Sequence, residues 1–265
     1  MSEKIDLGFE KESAYQVFPF LDDYGDHIKD PEVIGEGNYG VVVDGGYERI
    51  YKLGKNKDFS DALRREYNDH CKFYLGYEKI KSKPENENNP KYAKLRIPEV
   101  LINPRLIQGK NSKEELFIYE MEKIHGHNLL SYLIREELQK INIVVNLDDY
   151  SDREMELLYS QHIGKSIDLL RNGVFMDLTN EDRKFMKSVG NGVIKGVGNS
   201  FPSLLFKKYF PELYEEISEI LFELKKAGYK HTDLHAKNLM ISFDKNGNPI
   251  VYLIDFGIVD IKKGL

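Results

Sequence analysis

His231-Thr232-Asp233-Leu234-His235-Ala236-Lys237-Asn238 is the stretch on which the fold turns. It sets a carboxylate, Asp233, and an amide, Asn238, five residues apart on a polar segment. An Asp there can accept a proton from a hydroxyl, and an Asn side-chain oxygen is a hard ligand suited to Mg2+. The plain alternative is a polar loop in which Asn and Asp serve as turn residues. Just upstream, PELYEEISEILFELKKAG (211–228) reads as a helix: Pro211 suits its first turn, lysines close it, and Gly228 sits where a capping glycine belongs. Just downstream, LMISF and IVYLI flank DKNGNP, whose Asn246-Gly247 is hairpin chemistry. The second strand of that hairpin runs into Leu253-Ile254-Asp255-Phe256-Gly257. A carboxylate at the end of an apolar strand is a candidate metal ligand; a strand-ending Asp-x-Gly turn is the alternative.

Working back toward the N-terminus, residues 32–53 are β-rich, with Asp44-Gly45-Gly46 as a turn between two runs. The first run carries Gly35-Glu36-Gly37-Asn38-Tyr39-Gly40-Val41-Val42. Glycines so spaced permit tight turns, and their N–H groups are then free to meet phosphate oxygens. A plain hairpin would use the same residues. Lys52, on the next strand, faces that hairpin in this reading and can pair with phosphates; alone it is an ordinary surface lysine. Residues 60–80 read as a helix with Ser60 as N-cap and Leu63, Tyr67, Cys71 and Tyr74 on one face. KSKPENENNPK (81–91) is a loop, and IPEVL (97–101) and LFIYEM (116–121) are strand-like. Helical spacing returns at 128–140 and 151–172, and four glycines break it at 190–200. The class is α+β, with a β-rich lobe carrying one helix followed by a mainly helical lobe. The organisation is an extension at 1–31 that packs onto the domain, an N-terminal lobe and hinge at 32–122, and a C-terminal lobe at 123–265.

The chain has 265 residues, 38 basic against 44 acidic, for a formal charge of −6. That sign argues against a duplex-binding protein. A single cysteine, Cys71, excludes an internal disulfide and a cysteine zinc cage. No apolar run approaches a membrane span, and the charged N-terminus lacks a signal-peptide core, so a cytoplasmic setting is expected.

Taken in order, G-x-G-x-x-G-x-V, a strand lysine, H-x-D-x-x-x-x-N and D-F-G resemble the signature of the protein-kinase-like superfamily. The resemblance covers roughly 32–135 and 211–260. It implies ATP and Mg2+ as cofactors. Gly35, Gly37 and Gly40 would cover the ATP phosphates, with Val42 against adenine. Lys52 would pair with the α- and β-phosphates, held by Glu66 from the 60–80 helix; the alternative for Glu66 is a solvated charged face. Ile118–Glu122 resembles the hinge, with Tyr119 as gatekeeper and the main chain of Glu120, Met121 and Glu122 toward adenine. His125 and His127 read as loop histidines. Asp233 would be the catalytic base, and Asn238 and Asp255 would hold the metal. Phe256, His231 and His70 fall where the family stacks residues that join the lobes.

Departures from the pattern matter as much. Thr232 replaces the arginine that usually precedes the catalytic Asp, which implies activity without activation-loop phosphorylation. His235 stands where Ser/Thr kinases carry a lysine that touches the γ-phosphate, and Lys237 would reach that phosphate instead. Eight residues follow Gly257, while about 70 residues (141–210) are inserted before the Pro211 helix. That helical insertion is expected to pack beneath the catalytic loop, replacing the missing C-terminal support; a peripheral docking module is the alternative. Kinases that stop soon after D-F-G resemble compact phage kinases and those injected by bacterial pathogens into host cytosol. The leading expectation is therefore a Ser/Thr protein kinase acting on a protein, including a host protein, with room for an activating partner. The D-L-H form also resembles aminoglycoside and choline phosphotransferases, so a small-molecule phosphotransferase is the alternative. An ATP-binding pseudokinase is the third reading. No nucleic-acid partner is expected.

Overall fold

The computed structural model describes residues 32–36, 40–46, 48–110, 113–163, 204–232, 234, 236–257 and 259–261. The extension at 1–31, Gly37, Asp233, His235, the second half of the 151–172 helix and the glycine-rich 190–200 stretch lie outside them.

The N-terminal lobe is one antiparallel sheet. β1 (Glu32–Glu36), β2 (Gly40–Gly46) and β3 (Arg49–Gly54) follow one another by hairpins, and β5 (Val100–Gln108) and β6 (Glu115–Glu122) complete the order β1-β2-β3-β6-β5. The Asp44–Gly46 turn lies where the sequence puts it, with Gly46 at φ 68 and Asp44 Oδ1 accepting from its N–H at 2.8 Å. β5 is longer than expected. Beyond the strand-like 97–101 run, the strand continues to Gln108 against β6, with an irregularity between Leu101 and Arg105.

α1 (Lys57–Lys81) starts three residues before the predicted point. Its N-cap is Asn56, whose side chain accepts from Phe59 N at 3.0 Å, not Ser60. Ser60 is instead buried inside the first turn. Its hydroxyl donates to Asn56 O at 2.9 Å and accepts from Phe117 N at 3.0 Å, fastening the helix to β6.

β6 is followed by the crossing to the C-terminal lobe. There, α2 (Leu129–Gln139), α3 (Asp152–Ile163), α4 (Leu204–Tyr209) and α5 (Pro211–Lys226) pack around a small sheet. That sheet has the order β4-β10-β9-β7, from β4 (Leu95–Arg96), β10 (Pro249–Leu253), β9 (Leu239–Phe243) and β7 (His127–Asn128). The predicted 211–228 helix and the 239–254 hairpin are both present, with Gly228 at φ 91 and Gly247 at φ 80. A two-stranded ladder joins β8 (Tyr229–His231) to β11 (Val259–Ile261).

The large core is in this lobe, and two kinds of residue build it that pattern alone does not reveal. Phe73, Tyr77 and Ile80 come from the second half of α1. Val145, Leu147, Met155, Leu158, Tyr159, Leu205 and Phe206 come from the inserted segment. The described helices of the insertion therefore contribute to the core. α1 comes so close to the lower lobe that a Cβ on Gly76 would overlap the Tyr229 ring.

Candidate active site

Strand alternation decides which side chains of the upper sheet share a face. Val42 lies opposite Lys52, Lys52 opposite Tyr119, and Ile50 opposite Met121. These side chains face α1 and the gap between the lobes. Gly40, the third glycine of the loop, lies opposite Gly54, and a Cβ there would meet the Leu53 carbonyl oxygen. Gly35 pairs with Val42 across β1 and β2. So Gly35, Gly40, Val42 and Lys52 are brought together by two hairpins whose registers the sequence encodes locally.

Lys52 and Glu66 meet as a buried ion pair, Nζ to Oε1. Burial opposes the Lys52 ammonium, but Glu66 and Asp255 outweigh it and hold Lys52 above its ordinary range. For Glu66, burial pushes the carboxyl up, Lys52 pulls it down, and Asp255 pushes it up again. The net effect holds Glu66 above its ordinary range, with the Lys52 contact offsetting part of the cost of burial. The charge of Asp255 thus acts on both members of the pair. The pair thus lies where the β-rich lobe meets the helical one.

The register at the expected hinge differs from the sequence expectation. β6 continues through Glu122, with Tyr51 and Leu101 flanking Glu120 and Ile50 and Val100 flanking Met121. The main chain of Glu120 and Met121 is therefore inside the sheet, and the crossing begins at Lys123. Glu120 points to the opposite face from Lys52, where it accepts from Arg49 Nη1 at 2.8 Å. Tyr119 is buried behind the ion pair, its hydroxyl donating to Glu66 Oε1 at 3.4 Å. Met121, two residues on, is the last side chain on the Lys52 face before the crossing. The strand, expected over 116–121, runs from Glu115 through Glu122, so the main chain of Glu120 and Met121 is already paired on both sides.

The lower half of the site follows from one hairpin register. Leu239 pairs with Leu253, which sets Asn238 beside Ile254, and Ile254 N donates to Asn238 O at 2.9 Å. Asn238 and Asp255 therefore converge although 17 residues separate them in sequence. Asp255 holds φ 60, a left-handed conformation that costs a non-glycine residue on the order of 1 kcal/mol or more. Two contacts hold it there. His231 Nε2–H donates to Asp255 O at 2.6 Å, and Gly257 N donates to Asp255 Oδ1 at 3.3 Å. The carboxylate is exposed while the Asn238 side chain is buried.

Phe256 is buried among aromatic rings from both lobes. His70 stacks on it with centroids 4.2 Å apart at 16°, and Phe73 and His231 lie 5.2 and 5.5 Å away. His70 is held neutral: burial, with Lys52 and His231 nearby, pushes it down to about 3 despite its bond to Pro98. Its Nε2–H donates to Pro98 O at 2.9 Å, a bond for which the sequence offers no signal.

Lys237 does not stand free for a phosphate. Its ammonium pairs with Glu156 of α3 at 2.5 Å, and its carbonyl accepts from Asn128 Nδ2 at 2.8 Å. Asp152, one turn before Glu156, accepts from Ser131 of α2 at 2.5 Å. Glu156 and Asp152 were missed because they lie in the inserted segment, outside any motif. An acidic N-terminal turn on a helix next to the catalytic loop was the available signal.

Among the described residues, no group of three or more His, Cys, Asp or Glu side chains is arranged to hold a metal. No described helix is long and apolar enough to cross a membrane.

No protein-family model matches the chain, and no curated protein matches it in sequence. Several solved structures align along most of its length. The streptomycin–ATP ternary complex of APH(2")-IIa aligns over 95% of this chain and 73% of that one, at 16% identity and a TM-score of 0.33. The GDP complex of wild-type aminoglycoside 2'-phosphotransferase-IIIa covers 94% and 73%, at 15% and 0.35. The ADP-bound aminoglycoside phosphotransferase APH(2'')-Ib covers 92% and 71%, at 16% and 0.33. At such identities and TM-scores, none of these alignments assigns a substrate to this chain.

Proposed function

We propose that this chain is an ATP-dependent phosphotransferase that moves the γ-phosphoryl group onto a hydroxyl. The observation that carries the reading is the buried Lys52–Glu66 pair acted on by the charge of Asp255. A lysine held charged and fixed in direction by a carboxylate is a preorganised partner for phosphate oxygens, and its position needs no rearrangement when charge develops.

The donor set at the other side fits Mg2+. One exposed carboxylate, Asp255, and one amide, Asn238, are hard oxygen ligands too few for an all-protein cage, as expected where phosphates complete the shell. Bound there, Mg2+ would neutralise phosphate charge. The chain's own residues do the rest. Lys52 orients the phosphates, and Gly35 and Gly40 let the main chain approach them. Asp233 takes the acceptor's proton as the hydroxyl oxygen bonds to the γ-phosphorus and the bond to the β-phosphate oxygen breaks, leaving ADP.

For the acceptor, the inserted segment supports a small hydroxyl compound over a polypeptide. α3 lies against the catalytic loop through Glu156 and Lys237, so the insertion forms a wall beside the expected acceptor position. Asp152, exposed at the start of α3, gives that wall an acidic group suited to a basic acceptor. The Ser/Thr protein reading keeps the support of the third loop glycine and the D-F-G sequence.

Labelling with γ-labelled ATP in a cell lysate tests both. Label in small molecules, lost with Asp233→Ala and reduced roughly 100-fold or more by Lys52→Met, is the expected result. Label in protein bands selects the protein-kinase reading. No label above the Asp233→Ala control overturns phosphotransfer.

A further inference from the structure

A cavity of about 580 Å3 opens among described residues, and none of Lys52, Asn238 or Asp255 lines it. One wall is a stripe of α1. Tyr74, Tyr77, Glu78 and Lys81 recur at three- and four-residue spacing and so share a face of the helix. The polar loop at 86–90 forms a second wall. Arg96, Ile97 and Glu99 form a third, with Glu122 from the end of β6. The apolar part of the lining is buried and needs no further hydrogen bond. The Tyr77 hydroxyl donates to the Tyr92 and Leu95 carbonyls, and the Tyr92 hydroxyl donates to Glu223. These rings offer the cavity only surface and π-faces.

The charged part of the lining is unevenly satisfied. Glu99 N donates to Glu122 Oε2 at 3.1 Å and Glu122 N donates to Glu99 O at 2.9 Å, which fastens the two glutamates side by side. Among the described residues no cation pairs with either carboxylate. Both cations of the lining are engaged elsewhere. Lys81 meets Glu78 at 3.2 Å, and Arg96 donates to the Tyr252 hydroxyl at 3.3 Å and lies over that ring. Tyr74 marks where the carboxylates converge. Burial, then Glu99, Glu78 and Glu122, push its hydroxyl up, and no described hydrogen bond reaches it. A π-face, a hydroxyl able to accept and two carboxylates without a counter-ion suit a positive charge. The aromatic lining suits an apolar body attached to that charge, which a bare metal ion would leave unused. We propose that this cavity binds an organic amine, its ammonium held by Glu99, Glu122 and the Tyr74 ring and its body laid along Tyr77 and Ile97. Tyr74 belongs to α1 and Glu122 ends the strand that leads into the crossing, so the bound amine ties those two elements together. The site does not rest on the reading of the active site.

The test uses the full chain and three probes, butylamine, phenethylamine and spermidine, titrated at fixed ionic strength and followed by amide NMR shifts and melting temperature. Saturable binding of at least one amine is expected, with shifts at Tyr74, Glu99 and Glu122 and a melting temperature that rises with amine concentration. Phenethyl alcohol, which lacks the charge, should bind about tenfold or more weakly than phenethylamine. Glu99→Gln/Glu122→Gln should weaken the amine about tenfold or more, and Tyr74→Leu roughly threefold or more. Asp152→Asn, which alters the wall beside the catalytic loop instead, should leave the affinity unchanged. No saturable binding by any of the three amines overturns the proposal. So does binding that is lost with Asp152→Asn but kept in the double variant, or an alcohol that binds as tightly as the amine. If the double variant does not fold, Tyr74→Leu decides with the shift map: unchanged affinity, or shifts absent from Tyr74, Glu99 and Glu122, overturns the proposal.

Discussion

The two lobes are built by opposite strategies. The upper sheet is assembled mostly from neighbours in sequence: β1, β2 and β3 follow by hairpins, and β5 and β6 by another. The lower core gathers segments that are far apart: the second half of α1, the inserted helices, α5 and the 239–253 hairpin. Both halves of the site use short-range register. The β2–β3 hairpin sets Lys52, Val42 and Gly40, and the β9–β10 hairpin sets Asn238 beside the Asp255 segment. Long-range packing enters where Glu66 of α1 meets Lys52 and where Glu156 of the insertion meets Lys237.

The strongest way to break this comparison is to remove the insertion. Deleting residues 145–205 takes Met155, Leu158, Tyr159 and their neighbours from the lower core and should leave no cooperative unfolding transition by circular dichroism. A soluble product that still binds ATP would return the insertion to the status of a docking module. Next in size, Phe73→Ala on the second half of α1 should cost about 3–5 kcal/mol, since the side chain is fully buried. Tyr67→Ala, in the first half and only half-buried, should cost less. Denaturant melts of the two variants compare the halves directly, and equal losses would contradict the split.

How far the sequence reaches follows the same division. The Gly-rich hairpin, Lys52, the 211–228 helix and the 239–254 hairpin were legible because turn chemistry and short periodicity encode them. The start of α1 was misplaced because Asn56 and Ser60 both look like caps, and only the bond from Phe117 N shows that Ser60 has another use. The end of β6 was misplaced by one residue because nothing local marks where a central strand ends. Glu156 and the bond from His70 to Pro98 were illegible, since each joins residues from distant segments.

A finer probe is Gly76→Ala. The added methyl would press on the Tyr229 ring and should cost about 1–3 kcal/mol, read as a lower melting temperature. An unchanged melting temperature would mean that the helix is not held close. The smallest effect belongs to Glu223 on α5, which meets Lys91 and Tyr92 from the segment after α1. Burial opposes the carboxylate, but those two partners hold Glu223 below the usual glutamate range. Its stabilisation is thus complete above the unfolded value of about 4.3 and fades as pH falls through the lower folded value. Glu223→Gln should lower stability by about 1 kcal/mol or less at pH 7. The gap to the parent should close in melts below about pH 4, and a gap that persists there would sever the link.

α1 belongs to both cores, and this constrains how the cleft can move. Lifting the helix away with the sheet would expose Phe73, Tyr77 and Ile80 to water, at roughly 1.5–3 kcal/mol for each side chain. Rocking the strands away from the helix instead would uncover Leu63 and part Lys52 from Glu66, leaving a buried charge without its partner. The helix is thus a rivet through both lobes, and parting either lobe from it carries a cost.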